Sequence, residues 1–176
     1  MPQYEEPRFE ILKKFESFEI RRYSPTVVAM THRTTSNYQG SSGGFRIIAG
    51  FIFGDNSRNQ QISMTSPVHI WNEDSEVSYM SFTMPSKYEM EDLPQPNDER
   101  VILANEDEKI MAVLEFSGLS GEVKTTRLIK KLSDLLAQNS IQIAGSAKLA
   151  IYDNPWSTLP FQRRNEIQIP IHYSDC

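Results

Sequence analysis

The chain has 176 residues and a net charge of −5 at neutral pH. This length suits one domain with a buried core, and the excess of acidic over basic residues argues against a nucleic-acid binder that relies on phosphate contacts. Its one cysteine, Cys176, excludes an intrachain disulfide and a cysteine-based metal cluster. No apolar run is long enough to span a bilayer. We expect a cytoplasmic protein with no membrane span, because no secretory signal is evident either.

The first half of the chain alternates between strand and helix patterns. Two prolines and several charges near the start predict a mobile N-terminal arm over residues 1–14. Alternating apolar and polar residues, and runs of β-branched residues, are typical of half-buried strands. In chain order, the patterns predict strands over residues 18–23 and 26–34, a short helix over 44–53, and strands over 62–71 and 77–84.

The second half repeats this order after a proline-rich loop over residues 85–98. Ser120 is the predicted N-cap of an amphipathic helix that ends at Asn139. Strands are predicted over residues 109–117, 147–152 and 165–171, with a loop over 154–162.

These elements predict an α+β fold made of two β-α-β-β-type pseudo-repeats. The short connections favour antiparallel pairing, so we expect a distorted antiparallel β-barrel or twisted sheet flanked by two helices. We expect a single domain over residues 15–173, with halves at about 15–98 and 99–173.

The first predicted helix is apolar on two sides. Helical spacing places Phe45, Ile48 and Ile52 on one face, whereas Ile47 and Phe51 point to the opposite side. A helix that is apolar all round is either buried on both sides or covers an apolar partner. Two interpretations stay open: a loop such as 85–98 packs over the helix, or the second face forms a hydrophobic ligand groove or a protein contact.

Metal and nucleophile motifs are weak. His32, His69 and His172 have no second ligating residue at metal spacing on the same strand face, so we expect them to be structural or exposed. Methionines such as Met64 favour core filling over metal ligation. No nucleophile elbow is present, and we expect Glu115 and Glu166 to be outward-facing strand carboxylates. The sequence therefore predicts no catalytic residue and no protein metal site.

Several segments, in one order along the chain, resemble those of the SOUL/haem-binding protein family over about residues 15–171. The segments that carry the resemblance are FEIRRYSPTVVA (18–29), GFR (44–46), FIFGDN (51–56), ISMTSPV (62–68), FTMPS (82–86), LPQP (93–96), YDNPW (152–156) and RRNEI (163–167).

This resemblance implies that the protein binds haem or a free porphyrin in a shallow hydrophobic groove beside the first helix, as a non-enzymatic carrier or buffer. The expected binding residues are Phe45, Arg46, Ile47, Ile48, Phe51, Ile52 and Met64, with Arg46 or the 40–44 backbone near the propionates. The nearest histidine, His32, does not match the position at which some members are proposed to ligate iron. We therefore expect hydrophobic binding that tolerates several tetrapyrroles, by a monomer, with a dimer as the open alternative.

Two other classes of function stay open. The two-repeat architecture also resembles gyrase-inhibitor-like small-molecule-binding domains, some of which are hydrolases. Such a protein would use a cleft glutamate, here Glu115 or Glu166. The third class is a protein-interaction module that uses the apolar face of the first helix.

Overall fold

In a computed structural model, two helices pack on an antiparallel sheet. The structure describes residues 4–33, 42–73, 77–153 and 163–174. The helices of these ranges are α1 (Ser42–Ile52) and α2 (Glu122–Gln138), with a 3-10 turn at Met90–Asp92. The strands are β1 (Phe9–Lys14), β2 (Glu19–Tyr23), β3 (Thr26–Arg33), β4 (Val68–Asn72), β5 (Ser78–Thr83), β6 (Ile102–Glu106), β7 (Lys109–Ser117), β8 (Gln142–Ile143), β9 (Lys148–Ile151) and β10 (Arg164–His172).

The sheet combines two similar halves that exchange one strand each. Its order is β1-β2-β7-β10-β9-β4-β5-β3-β6, with β8 beside β10. The series β3-α1-β4-β5 corresponds to β7-α2-β9-β10. The strand that precedes each series pairs with the first strand of the other series. β2, which precedes β3, pairs with β7, and β6, which precedes β7, pairs with β3. β4 and β9 pair at the centre, so the ten strands form one sheet that is curled into a half-barrel. The predicted α+β class and two-helix arrangement are confirmed.

One face of the sheet, which we call the helix face, carries the hydrophobic core. Alternation along the strands turns every second residue toward the helices. α1 packs on a cluster that includes Ala29 and Phe82, whereas α2 packs on a cluster that includes Ile20 and Ile167. Burial of each large apolar side chain contributes about 1.5–3 kcal/mol, so this face provides most of the driving force for folding.

The opposite face, which we call the polar face, is lined by charged, amide and aromatic side chains that are nevertheless buried. The alternation that turns Ile20 and Ile167 to the helices turns Arg21, Glu166 and Gln168 the other way. Both faces of the central strands are therefore covered, and β10 has five consecutive buried residues from Asn165 to Ile169.

The structure corrects several predicted boundaries. The expected arm over residues 1–14 contains β1, which pairs with β2 along Phe9–Lys14. A strand was predicted over residues 62–71, but β4 begins only at Val68. β6 was missed, because its five residues ILANE show little alternation and its partner β3 is distant in sequence. Gly121, rather than Ser120, is the N-cap of α2.

Candidate functional site

α1 buries a wider arc than its sequence pattern predicted. Ile48, Phe51 and Ile52 are buried in the cluster beneath the helix, and Ala49 is buried as well. The sequence pattern placed Phe51 on the side opposite Ile48, but the structure buries both residues in one cluster, with Phe51 at the edge of a broad apolar stripe. Leu93 of the 85–98 loop belongs to the same cluster, so the interpretation that this loop packs on the helix is supported.

The accessible side of the helix forms a surface that we call the α1 outer surface, made by Phe45, Arg46, Ile47, Gly50 and Phe53. Arg46, Gly50 and Phe53 follow at i, i+4 and i+7 and therefore share one face. Phe53 is 58% exposed and Phe45 is 41% exposed, although helical spacing placed Phe45 on the same face as Ile48 and Ile52, which are buried. The ring of Phe45 lies in the first turn and contacts Phe82 with centroids 5.9 Å apart.

Gly50 makes the middle of this surface flat. A Cβ atom added at Gly50 would meet nothing nearer than Asp55, at 3.9 Å from its Cβ and Oδ2 atoms. The helix backbone is thus accessible between Arg46 and Phe53. A flat ligand could approach the backbone there, beside the side chain of Asp55.

The seven residues predicted for the binding site divide into three groups. Phe45 and Arg46 are exposed, Ile47 and Met64 are partly buried against the core, and Ile48, Phe51 and Ile52 lie inside it. Of the seven, Phe45 and Arg46, and in part Ile47, are therefore accessible to a ligand, at three consecutive positions of the helix. Phe53 was missed, although its spacing from Arg46 and Gly50 in the sequence could have indicated it.

The histidines lie away from the α1 outer surface. His32 is exposed on the polar face, where its ring lies 5.9 Å from that of Tyr79. His69 is buried, as the structural interpretation expected. Within the described ranges, no three His, Cys, Asp or Glu side chains come together as a metal site. Cys176 and the predicted loop 154–162 lie outside those ranges.

A buried network, which we call the polar network, joins the two halves on the polar face. Glu166 accepts hydrogen bonds from Arg21 Nη1 at 3.0 Å, from Tyr152 Oη at 2.6 Å and from Gln168 Nε2 at 2.8 Å. The amide nitrogen of Gln168 faces this carboxylate, so its oxygen faces His69. His69 Nε2 therefore donates to that oxygen, at 3.0 Å.

The expectation that Glu166 faces outward is wrong, because Glu166 is buried, whereas Glu115 is exposed as expected. The alternation of β10 could not reveal this, since both faces of that strand are covered. The Glu166 carboxylate forms a buried ion pair with Arg21 and accepts further hydrogen bonds from neighbouring side chains. These interactions are typical of a charge held in place by its surroundings.

The network controls the protonation of its members. Burial lowers the pKa of His69 to about 3, and the positive charges of Lys109 and Lys148 act in the same direction. Burial and the nearby Glu166 charge raise the pKa of Tyr23 to about 12. The same two causes raise the pKa of Tyr152 far above its usual range. At neutral pH, His69 is therefore uncharged and both tyrosines keep their protons.

The described helices also allow one statement about membranes. None of them is long and apolar enough to cross a bilayer.

The fold and surfaces define a class: a two-helix half-barrel with a polar network inside and an apolar helix surface outside. The model of the SOUL heme-binding protein family matches residues 4–170. The chain therefore belongs to the SOUL family. It is similar to Heme-binding protein 2 of Mus musculus, with 25% identity over 175 residues that cover 95% of this chain and 83% of the relative.

Solved structures share the fold at low identity. The C-terminal domain of EcmrR matches with a TM-score of 0.65 and 10% identity, covering 94% of this chain and 99% of that domain. A hydrolase from Listeria innocua matches with a TM-score of 0.58 and 10% identity, covering 98% of this chain and 94% of that one. At this identity the likeness concerns the fold alone.

Proposed function

We propose that this protein binds haem or a free porphyrin reversibly on the α1 outer surface, as a non-enzymatic carrier or buffer of tetrapyrroles. The observation that supports the proposal most is the exposure of Phe53, which shares a helix face with Arg46 and Gly50, together with the exposure of Phe45 in the first turn. Apolar side chains at such exposure gain from contact with a ligand. Membership of the SOUL heme-binding protein family supports a tetrapyrrole as this ligand.

The surface matches the shape and charge of a porphyrin. A macrocycle is flat and apolar over most of its area, and it contacts the aromatic rings and the exposed helix backbone. Arg46 is exposed on the same face, where its guanidinium donates to a propionate carboxylate. The same residues hold haem and metal-free porphyrin, because these contacts do not involve the metal.

The residues of this surface provide no iron ligand. Phe45, Arg46, Ile47, Gly50 and Phe53 have no side chain that coordinates iron in proteins, and His32 lies on the other face of the sheet. The protein accordingly binds tetrapyrroles through apolar contact and one charged group. An affinity that is similar for haem and for free porphyrin follows from this arrangement.

The enzymatic alternative finds less support in the polar network. A general acid or base must reach the substrate, but Glu166 is buried and receives its hydrogen bonds from Arg21, Tyr152 and Gln168. Its charge is balanced by Arg21. We therefore assign Glu166 a structural role.

Titration with hemin and with metal-free protoporphyrin tests the proposal. The variants are Phe53→Asp and Arg46→Glu, and the matched control is Val123→Asp on α2, where Val123 is 86% exposed. Both ligands shift their Soret bands with the unaltered protein. Phe53→Asp weakens binding roughly ten-fold or more, because it removes the burial of a large apolar side chain. Arg46→Glu weakens it to a similar extent, and the control keeps the original affinity.

Two results would contradict different parts of the proposal. No Soret change at micromolar hemin would exclude tetrapyrrole binding. Binding that survives both substitutions unchanged would place the ligand elsewhere. If Phe53→Asp instead converts a dimer to a monomer in size-exclusion chromatography, the surface serves protein interaction, which is the remaining alternative.

A further inference from the structure

A second site candidate is a groove beside the N-terminal segment of the chain, with no residue of α1 in its lining. The groove has a volume of about 680 Å³ and runs between residues 5–8, the start of β3 and residues 84–91. This volume falls in the range of roughly 300–1,000 Å³ that small-molecule sites have. We call it the N-terminal groove.

The floor of the N-terminal groove is apolar and aromatic. It is lined by Val27, Met84, Tyr88 and Met90, among others. Methionine side chains adapt to ligands of irregular shape. The ring of Tyr88 already attracts a cation, since Nζ of Lys87 lies over it at 5.1 Å from the centroid.

The rim of the groove is negatively charged. Among its lining residues, carboxylates come from Glu5, Glu6, Glu89 and Glu91, whereas Arg8 is the one cation of that lining. Glu6 pairs with Arg164 at 2.6 Å, so its charge is balanced. Glu5 accepts instead from the neutral backbone and hydroxyl groups of Ser86. The groove therefore has a net negative potential next to an apolar floor.

The N-terminal wall of the groove is fixed by hydrogen bonds. The carboxylate of Glu5 accepts from Ser86 N at 2.9 and 3.0 Å and from Ser86 Oγ at 3.0 Å. The Glu5 carbonyl accepts from Ser66 N at 3.0 Å. Ser24 N donates to the carbonyl of Arg8, also at 3.0 Å. The groove is thus a formed cleft before any ligand arrives, which lowers the entropic cost of binding.

The groove adjoins a small cavity on the side of the polar network. Pro7, Ser24, Thr26 and Thr83 line both the groove and a small inner cavity of about 10 Å³ that reaches His69. Such a volume holds about one water molecule. A ligand in the groove therefore stays outside the polar network.

From this complementarity of charge and surface we propose that the N-terminal groove binds an amphipathic organic monocation. The apolar body of the ligand lies on Val27, Met84 and Met90, and its positive charge lies among the carboxylates of Glu5, Glu89 and Glu91. The dianionic porphyrin of the α1 outer surface is excluded here, because its propionates would meet those carboxylates.

Calorimetry with two ions of the same shape and opposite charge tests this site. Tetraphenylphosphonium binds the full chain, whereas tetraphenylborate binds at least about five-fold more weakly, because the rim repels it. Glu91→Gln and Glu5→Gln each weaken phosphonium binding about two- to five-fold. In Glu5→Gln, the new amide oxygen still accepts from Ser86. Glu115→Gln, an exposed carboxylate of β7, is the matched control and changes nothing.

Two further measurements make the assignment specific. Lys87→Met strengthens phosphonium binding a few-fold, because it removes the cation that lies over Tyr88. Protein saturated with hemin keeps its affinity for the phosphonium, since the two sites share no lining residue.

Each contrary result overturns the proposal. Absence of phosphonium binding, equal binding of the two ions, or no response to Glu5→Gln and Glu91→Gln would reject the groove as a cation site. One-for-one displacement by hemin would place the phosphonium on the α1 outer surface instead. None of these results changes the outcome of the Soret titration, which tests porphyrin binding separately.

Discussion

Arg21 on β2 and Glu166 on β10 form a buried ion pair, with 3.0 Å between Nη1 and Oε2, although 145 residues separate them in the chain. β2 belongs to the first half of the sequence but pairs with β7 of the second half. This strand exchange brings the guanidinium to the carboxylate. The ion pair therefore depends on the exchange of strands between the halves, and it fixes how they join.

Arg21→Met is expected to lower the free energy of unfolding by about 3–5 kcal/mol, because Glu166 would remain charged in a buried position without its partner. Urea unfolding measures the loss. The control is Arg22→Met at the neighbouring position, whose partners Glu10 and Glu108 are exposed. Such surface pairs contribute about 0–1 kcal/mol.

The double variant Arg21→Met with Glu166→Leu distinguishes the cost of an unpaired buried carboxylate from the cost of changed packing. We expect it to be more stable than Arg21→Met alone, because the uncompensated carboxylate is gone. Equal losses for Arg21→Met and Arg22→Met would show that the pair is not desolvated.

The network could not be predicted from the sequence, for a physical reason. Alternation along β10 shows that Glu166 and Ile167 face opposite sides, but not that both sides are covered. The residues that cover Glu166 lie on β2 and beyond β9, so they are adjacent only after the strands have paired. The helices and most strands, by contrast, follow from local periodicity, and they were predicted within a few residues.

His69 makes stability depend on pH. Its folded-state pKa is about 3, whereas an unfolded histidine has a pKa of about 6.5. The unfolded state therefore binds the proton more readily, and stability falls as the pH drops from about 6.5 toward 3. Over this interval His69 contributes a slope of about 1.4 kcal/mol per pH unit.

Comparison of His69→Gln with the unaltered protein isolates this slope from the carboxylates that titrate in the same range. Urea unfolding at pH 7, 6, 5 and 4 is expected to show a shallower loss of stability for His69→Gln. The control is His32→Gln, at an exposed position. Parallel pH profiles for His69→Gln and the unaltered protein would show that His69 is not buried in its neutral form.

Phe51 and Phe53 test which side of α1 faces the core. Phe51→Ala is expected to cost about 3–5 kcal/mol of stability, because it leaves a cavity beneath the helix. Phe53→Ala changes stability by about 0.5 kcal/mol or less, since that side chain is 58% exposed. Urea unfolding of both variants measures the difference. Similar losses would contradict the burial pattern, and loss of hemin binding in Phe53→Ala alone would support the α1 outer surface.

The α1 residues also show how far sequence reasoning reached at the site. Spacing identified the helix and its unusual apolar content, but it divided the residues into two narrow faces. The buried arc is broader than either, because the helix rests on the sheet and on the 85–98 loop together. Leu93 of that loop lies in the same cluster as Phe51, and a contact between such distant segments leaves no local signal.

Gly50 permits a test in which folding and binding change in opposite directions. Gly50→Ala is expected to raise the free energy of unfolding by about 0.5–1 kcal/mol, because glycine in a helix interior is unfavourable and the added Cβ would come no nearer than 3.9 Å to Asp55, an ordinary van der Waals contact. Gly50→Leu keeps this gain in helix propensity, but its side chain stands where the macrocycle would lie. We therefore expect Gly50→Leu to be as stable as the unaltered protein or more so, and to lose hemin affinity that Gly50→Ala largely retains. Hemin binding by Gly50→Leu at full affinity would show that the porphyrin does not lie across the middle of α1.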